Sequence, residues 1–348
     1  MTFGVENSEV QTGDFNQNFR FYGSTLDNLP IEKGSYLRVF IPEDFQITDY
    51  DRVASTCTTI SGFSDEIACE LEGRAATVGA GGSIPGGHYL VAKGGFDSEQ
   101  YVGGEFSFYI SEIKNPFTTK PSSSFGFEIF DKQGGLQYSF TGDFTIEVTA
   151  SKFSYVFVES QSPVNGVASL YDISLTLGVD TPAGAKIAIG LPEELKLEQA
   201  GFQCDGSITG SGSFSCKRKV EGTDENGQEV YNDKMLFIEL EGSEPFTNGT
   251  TLTLSVGPIK NPVSFKPTSS FYFASVVEKE NAGPARVFAV APPIDPEQYW
   301  FVNLNTEDLI IKNSEAGVIA MENIEQENSE LGAQTAIKMT FRTANEIP

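Results

Sequence analysis

The side chains that enzymes most often use for acid–base chemistry are scarce in this sequence. His88 is the single histidine among 348 residues, so a serine–histidine or cysteine–histidine nucleophile has at most one candidate base. His88 follows Gly86-Gly87 and opens an apolar stretch, which is typical of a residue at a strand end. We therefore expect a structural role for His88.

Carboxylates are abundant and occur as adjacent pairs, among them Glu43-Asp44 and Glu193-Glu194. A glycosidase needs two carboxyl groups about 5–10 Å apart across a cleft, and nothing in the sequence brings a particular pair together. Solvated surface charge explains these pairs better. We predict that the chain is not an enzyme, and a hydrolase that uses carboxylates alone is the enzymatic alternative.

Calcium is the metal that the acidic residues could hold, because hard cations take clustered carboxylate and carbonyl oxygens. The candidates are Asp224, Glu225 and Asp233. The sequence lacks the spacing of an EF-hand or of an aspartate-rich nonapeptide repeat. The main expectation is therefore that no metal or other cofactor is bound, with calcium as the alternative.

The four cysteines form two equally spaced pairs, Cys57 with Cys69 and Cys204 with Cys216. Equal spacing predicts one disulfide in each half of the chain, whereas four reduced, buried thiols of a cytosolic protein are the alternative. Disulfides indicate an extracellular or cell-surface location. No secretory leader is recognisable at the start, so either the chain is a processed or internal part of a longer precursor or the protein is not secreted. The incomplete third repeat described below favours the first. Asn248 begins an Asn-Gly-Thr glycosylation sequon.

The charge excludes two classes of partner. With 48 acidic and 23 basic residues, the formal net charge is −25. Nucleic acids and anionic lipids both require a basic surface, so neither is an expected partner. No apolar run approaches the ~20 residues of a membrane span.

The chain is a tandem duplication. Two motifs and the cysteine pairs recur in the same order in both halves, at nearly constant offset: Ile-Lys-Asn-Pro at 113–116 and 259–262, and Lys-Pro-Ser/Thr-Ser-Ser-Phe at 120–125 and 266–271. A third match is Ile-Pro-Glu-Asp-Phe at 41–45 with Leu-Pro-Glu-Glu-Leu at 191–195. Ordered matches of this kind indicate two copies of one structural unit.

Short runs that alternate apolar and polar residues predict an all-β fold. Residues 252–256, Leu-Thr-Leu-Ser-Val, are one such run, and this period suits a sheet with one buried and one solvated face. About seven such runs per repeat, without an amphipathic helix, predict two tandem immunoglobulin-like β-sandwich repeats. The expected domains are 1–150, 151–296, and a C-terminal extension over 297–348.

The extension is expected to carry the first strand of a further repeat, with no partner strand in this chain. Such a strand would be completed by a longer polypeptide or by strand addition to a like subunit. The residues proposed for this inter-subunit strand are Gln334, Ala336, Ile337, Met339 and Phe341.

Three aromatic residues, Tyr299, Trp300 and Phe301, follow a proline-rich stretch. The favoured interpretation is a hydrophobic plug at the junction of successive domains. The alternative is an exposed platform for a sugar or another contact.

The Ile-Lys-Asn-Pro and Lys-Pro-Ser/Thr-Ser-Ser-Phe element, combined with the cysteine pair, resembles tandem repeats in large secreted and surface proteins of ciliated protists. The resemblance implies extracellular structural or adhesive proteins built from many similar modules, without catalytic residues. The single cysteine pair per repeat departs from the richer cysteine patterns that such proteins often carry.

The function predicted from the sequence is a structural one. The chain would be a modular subunit of an extracellular fibre, filament or surface coat assembled end to end by self-association, by strand addition or by continuation of the chain. The alternative is a cell-surface adhesin or a carbohydrate-binding module with glycans as ligands.

Overall fold

The computed structural model describes residues 2–16, 18–24, 30–63, 67–74, 77–79, 82–84, 86–94, 96, 104–223, 225, 227–280, 294–305, 307–313, 315–316, 319–326 and 337–343. The chain divides into two compact units. Unit 1 comprises Met1–Ser151 and Trp300–Val302, and unit 2 comprises Lys152–Tyr299 and Asn303–Pro348. The boundary predicted after residue 150 lies one residue from this division.

Unit 1 is built from short antiparallel strands and one short helix, α1 (Tyr50–Ser55), which Asp49 caps by accepting a hydrogen bond from the Arg52 N–H at 2.9 Å. The strands are β1 (Thr2–Asn7), β2 (Phe15–Asn16), β3 (Phe19–Ser24), β4 (Tyr36–Pro42), β5 (Thr58–Ser61), β6 (Ala68–Arg74), β7 (Thr77–Gly79), β8 (Gly82–Ile84), β9 (Gly87–Lys93), β10 (Glu105–Ile110), β11 (Ile113–Lys114), β12 (Gly126–Phe130) and β13 (Leu136–Thr141).

Two sheets make the sandwich of unit 1. The first has the strand order β1-β3-β10-β5, and the second has the order β13-β12-β4-β9-β6. Strands β2 and β11 form a small separate ladder, as do β7 and β8. One face of each sheet is apolar because successive side chains of a strand point to opposite faces.

Unit 2 repeats this construction. Its strands are β14 (Tyr155–Ser160), β15 (Ala168–Thr176), β16 (Lys186–Gly190), β17 (Lys196–Leu197), β18 (Gln203–Ile208), β19 (Ser213–Thr223), β20 (Glu229–Glu241), β21 (Thr251–Lys260), β22 (Tyr272–Glu278) and β23 (Tyr299–Leu304). The first sheet has the order β14-β15-β21-β17, with β18 also paired to β21, and the second has the order β19-β20-β16-β22-β23.

The strand orders of the two units correspond position by position. In the first sheet, β1 corresponds to β14, β3 to β15, β10 to β21 and β5 to β18. In the second sheet, β13 corresponds to β23, β12 to β22, β4 to β16, β9 to β20 and β6 to β19. The predicted all-β, immunoglobulin-like sandwich architecture is confirmed by these paired antiparallel sheets. The internal repeat in the sequence is thus a repeat of one fold.

The two cores use different side chains to fill the same space. The core of unit 1 is rich in phenylalanine, with Phe21 buried between Phe19 and Phe108 at ring-centroid distances of 5.4 and 5.3 Å. The core of unit 2 is mainly aliphatic, with Ile173 and Leu254 among its buried members. Burying each such side chain stabilises a fold by about 1.5–3 kcal/mol.

Each unit has one disulfide, and it links the two sheets at the same edge. Cys57, just before β5, is bonded to Cys69 in β6, with a Cα–Cα distance of 6.0 Å. Cys204 in β18 is bonded to Cys216 in β19, with a Cα–Cα distance of 6.3 Å. Both pairs predicted from the cysteine spacing are therefore formed, and each joins matching edge strands.

The Ile-Lys-Asn-Pro motif contains a buried asparagine that fastens the first hairpin of each unit. In unit 2, Asn261 Nδ2 donates to the Ser162 oxygen at 2.7 Å and to the Val164 oxygen at 2.9 Å. Its Oδ1 accepts from Tyr171 Oη at 2.6 Å. In unit 1, Asn115 occupies the same position; its Nδ2 donates to the backbone oxygens of Glu9 and Gln11 at 3.0 and 2.9 Å.

The second shared motif holds the chain segment that follows each sandwich. In unit 1, the Ser122 N–H donates to the Ile146 oxygen and Ser122 Oγ accepts from the Ile146 N–H, both at 3.0 Å. In unit 2, Thr268 and Ile311 make the same exchange at 3.0 Å. In both units, the hydroxyl and backbone groups of this motif therefore bind a neighbouring strand-like segment, which explains why the motif is shared.

A carboxylate from the preceding Pro-Glu-Asp/Glu motif caps each of these loops. Asp44 Oδ2 accepts from the Ser123 N–H at 2.7 Å, and Glu194 Oε2 accepts from the Ser269 N–H at 3.0 Å. Burial acts to raise the pKa of Glu194, but the hydrogen bonds from Ser269 and the positive charge of nearby Lys234 together lower that pKa below its usual value. One carboxylate of each pair, Asp44 or Glu194, therefore has a structural role.

The prediction of an unpaired C-terminal strand was wrong. Residues 337–343 form β25 (Ile337–Thr343), which pairs antiparallel with β24 (Ile319–Gln326) from Ile319↔Thr343 to Gln326↔Ile337. The extension predicted as linker and opening strand thus contains a hairpin. Among the described residues, α1 is the only α-helix, and no helix there is long and apolar enough to span a membrane.

Candidate ligand-binding face of unit 2

The outward face of the first sheet in unit 2 carries two rows of polar side chains. The register places Phe157, Ser174, Thr253 and Ser207 in one row across β14, β15, β21 and β18, and Glu159, Asp172, Ser255 and Asp205 in the next. We call these eight residues the open face. Their inward neighbours, such as Ile173 and Leu254, belong to the core.

A shallow groove of about 420 Å³ runs over the open face. It is lined by Phe157, Asp172, Ile173, Ser174, Asp205, Gly206, Thr253, Leu254 and Ser255. Phe157 is 40% exposed, and Tyr155 on the same side of β14 is 53% exposed. Two aromatic rings therefore flank a surface of hydroxyl and carboxylate groups.

The groove depends on how closely β18 approaches β21. A Cβ atom at Gly206 would lie 2.0 Å from the Thr253 backbone oxygen and 3.0 Å from the Leu254 Cα atom, so only glycine permits this approach. Cys204, two residues earlier, bonds β18 to the second sheet. The disulfide and the glycine together fix the strand that carries Asp205.

Hydrogen bonds hold the acidic row in place. Gln161 Nε2 donates to Asp172 Oδ1 at 2.9 Å and to Ser255 Oγ at 3.1 Å. No ion pair between described residues includes Glu159, Asp172 or Asp205. The row therefore presents carboxylates to solvent without a cation from the described part of this chain.

The matching face of unit 1 is filled. Its two rows are Gly4, Tyr22, Ser107 and Ser61, and Glu6, Arg20, Tyr109 and Thr58. The Tyr22 ring covers Gly4, where a Cβ atom would lie 2.4 Å from Tyr22 Cζ. Ser107 is 3% exposed, whereas its counterpart Thr253 is exposed. Bulky side chains thus cover this face of the first sheet in unit 1, whereas the smaller serines of unit 2 leave the same face open.

Two other grooves lie in unit 1. One of about 610 Å³ borders the disulfide and is lined in part by Asp51, Glu70 and Glu72. The other, of about 540 Å³, contains His88, whose Nδ1 lies 3.2 Å from Tyr50 Oη. Burial lowers the pKa of His88, which favours the neutral imidazole. His88 lies in β9, near the strand end expected from the sequence.

Neither of the described calcium candidates, Glu225 and Asp233, lies in a group of described residues that could hold a metal, and calcium binding stays a prediction. Asp233 Oδ2 lies 3.7 Å from Lys196 Nζ, and Glu225 is exposed. Asp224 lies outside the described residues. No group of three or more histidine, cysteine or acidic residues that could hold a metal occurs in the described ranges.

The described glycosylation and inter-subunit candidates include exposed residues. Asn248 occupies an exposed turn, and its N–H donates to Asp180 Oδ1 at 2.7 Å. Ile337 and Met339 are exposed in β25, and Phe341 lies in the same strand. Gln334 and Ala336 fall outside the described residues. Glycosylation and an inter-subunit contact stay predictions.

The aromatic trio lies in β23 and is half-buried throughout. The Tyr299 ring stacks against Phe237 at a centroid distance of 6.2 Å. Tyr299 is therefore held by packing against unit 2.

The open face escaped sequence-based reasoning because no residue in it is unusual by itself. The signal was available in the alignment of the two repeats. Positions that are arginine and tyrosine in unit 1, Arg20 and Tyr22, are Asp172 and Ser174 in unit 2. Such a change at outward positions of one shared fold marks a surface that the two copies use differently.

Comparisons with known proteins return distant likenesses only. No family model and no curated protein matches the sequence. Among solved structures, the chain is similar to the C-terminal domain of the antigen I/II-family protein AspA of Streptococcus pyogenes, with 9% identity, 79% of this chain and 94% of that chain covered, and a TM-score of 0.27. It is also similar to a putative membrane anchored protein from Corynebacterium diphtheriae, with 10% identity, 90% and 92% coverage, and a TM-score of 0.25.

A third likeness is to the Enterococcus faecalis MSCRAMM ACE, which binds its ligands by the collagen Hug model, with 11% identity, 81% and 90% coverage, and a TM-score of 0.20. All three TM-scores are below 0.5.

Proposed function

We propose that this chain is part of an extracellular adhesion protein, in which β-sandwich units are rigid modules and the open face of unit 2 is the contact site. The observation that carries the proposal is the difference between two copies of one face. Unit 1 covers its face with Tyr22 and Tyr109, whereas unit 2 has Ser174 and Ser255 there and keeps a groove.

Two further features support this proposal. The inter-sheet disulfides in both units favour an oxidising, extracellular setting. The groove is shallow and its polar groups are spread along a sheet, which suits contact with an extended macromolecule better than enclosure of a small substrate. Aromatic rings at the edge of such a surface can supply apolar contact area.

The test fills the groove with the side chain that fills it in unit 1. Beads coated with the full chain should adhere to cells or matrix, and Ser174→Tyr should abolish this adhesion while leaving the far-ultraviolet circular dichroism unchanged. Ser139→Tyr, at an exposed position of β13 in unit 1, is the matched control and should adhere normally. Equal adhesion by both variants would refute the assignment of the contact to the open face.

The fibre or coat role predicted from the sequence stays a second candidate. The duplicated module is the observation that favours it, while the pairing of β24 with β25 removes the single unpaired strand on which strand donation was based. Light scattering of the purified chain tests it: a mass near 37.7 kDa at all concentrations would exclude self-assembly by this chain alone.

A further inference from the structure

Unit 1 shows which chemical group completes this sheet face. Arg20 lies in register between Glu6 and Tyr109, and its Nη1 is 3.5 Å from Glu6 Oε2. Its guanidinium carbon also lies 5.1 Å from the centre of the Tyr22 ring. One cation is therefore held by a carboxylate and by an aromatic ring at the same time.

Unit 2 keeps the carboxylate beside this position and replaces the cation. Glu159 corresponds to Glu6, and Asp172 stands at the position of Arg20. Ser174 replaces Tyr22, and an exposed aromatic ring comes instead from Phe157 on β14, at the position of Gly4. The described part of the chain provides no ion-pair partner for these carboxylates, so a positive charge from outside would complete the arrangement.

The spacing of the acidic groups favours a chain with several cations over a single small ion. Asp172 and Asp205 lie in one row on strands two apart, which places their backbones about 9.6 Å from each other at ~4.8 Å per strand. Same-side residues of an extended polypeptide recur about every 6.7 Å. This spacing is shorter than the separation of Asp172 and Asp205, and the long, flexible side chains of arginine and lysine can span the difference. Arginine also pairs with carboxylates through two hydrogen bonds and stacks on aromatic rings.

We propose, on the premise of the adhesion function, that the open face of unit 2 binds an extended basic segment of a partner polypeptide, whose arginine or lysine side chains take the place that Arg20 has in unit 1. Phe157 contacts the aliphatic part or the guanidinium plane of one such side chain. Asp172 and Asp205 accept hydrogen bonds from two of them. The hydroxyls of Ser255, between these carboxylates, and of Ser174 and Thr253 in the next row contact the peptide backbone.

The first experiment measures fluorescence anisotropy of a labelled short peptide, in which arginine alternates with serine, titrated with the full chain. We expect saturable binding that weakens as salt increases, and none to a peptide in which glutamate replaces arginine. The double variant Asp172→Asn with Asp205→Asn should reduce affinity by at least about tenfold. The matched control, Asp143→Asn with Glu147→Gln, removes the same charge from exposed positions of unit 1 and should bind like the parent chain.

A second variant tests the internal comparison directly. Asp172→Arg recreates the pairing of unit 1, because the new guanidinium can bond Glu159, and it should abolish peptide binding. If the double variant binds the peptide as well as its control does, the basic-segment proposal is overturned.

Different results would refute the basic-segment proposal and the adhesion function. Adhesion that Ser174→Tyr abolishes but the double asparagine variant retains would overturn the basic ligand and keep the open face as the contact site. Specific binding of the parent chain to a neutral glycan, if Ser174→Tyr abolishes that binding, would also overturn the basic ligand and keep the open face as the contact site. Adhesion that survives Ser174→Tyr would refute the proposed function itself.

Discussion

Replacing Asn261 by alanine should destabilise unit 2 far more than any exposed substitution does. Asn261 is 1% exposed and makes four side-chain hydrogen bonds, of which two go to backbone oxygens and two come from the hydroxyls of Ser160 and Tyr171. Each such bond contributes about 0.5–1.5 kcal/mol net, and each buried partner left unsatisfied costs about 1–3 kcal/mol. Since water can reach some of these partners, we expect a loss of about 3–5 kcal/mol in unfolding free energy.

The assay is urea unfolding of the full chain, followed by fluorescence and by circular dichroism so that the transitions of both units are resolved. Asn261→Ala should lower the midpoint of one transition, and Asn115→Ala should lower the midpoint of the other. Gln203→Ala, at an exposed position of β18, is the control and should shift neither midpoint. A loss below about 1 kcal/mol for Asn261→Ala, within the range of a surface substitution, would refute the argument that this asparagine fastens the first hairpin.

Three further predictions follow from the same structure. Removing one disulfide with Cys204→Ser and Cys216→Ser should cost unit 2 about 3 kcal/mol, because the bond closes a loop of 12 residue steps; calorimetry of the full chain should then show one lowered transition and one unchanged. Gly206→Ala should weaken adhesion and lower the same transition, since its Cβ would lie 2.0 Å from the Thr253 oxygen, whereas Gly222→Ala, which meets nothing within 4 Å, should do neither. Burial raises the pKa of Tyr171 to about 12, so the folded state keeps this proton after the unfolded state loses it near pH 10. The corresponding stability is present below pH 10 and declines between pH 10 and 12 by about 1.4 kcal/mol per pH unit, and denaturation midpoints of Tyr171→Phe should fall less steeply over that range.

The sequence predicted most of the fold because the repeat and the strand alternation are local patterns. Proline cannot donate to a strand ladder, and β11 and β21 end at Lys114 and Lys260, directly before the Asn-Pro dipeptides. The cysteine pairing followed from equal spacing. Each of these inferences needed only neighbouring residues or the comparison of two segments of one chain.

The first strand of unit 2 is difficult to recognise in the sequence for a physical reason. In β14, Val156 and Val158 point inward while Tyr155 and Phe157 point outward, so both faces are apolar and the period of two disappears. Without β14, the sequence pattern makes β15 look like the first strand of its repeat. The partner of β25 was missed for the same cause, because the opening hairpin was not recognised as a unit.

The open face and the buried asparagines could not be predicted because they depend on register between distant strands. Asp172 and Asp205 become neighbours across Ser255 only when β15, β21 and β18 align. Likewise, the role of Asn261 required its position beneath the turn at residues 160–164. In both cases the sequence contained the residues, but only the fold defined their relations.

The disulfide at the sheet edge also limits how far each unit can lengthen when its ends are pulled apart. The 12 residue steps between the two cysteines would otherwise release roughly 40 Å of chain at about 3.3–3.6 Å per step. With the bond intact this segment stays short, and β18 stays attached to β19 even after other strands have separated. A tether made of such modules therefore absorbs mechanical load without dismantling the strand that carries Asp205.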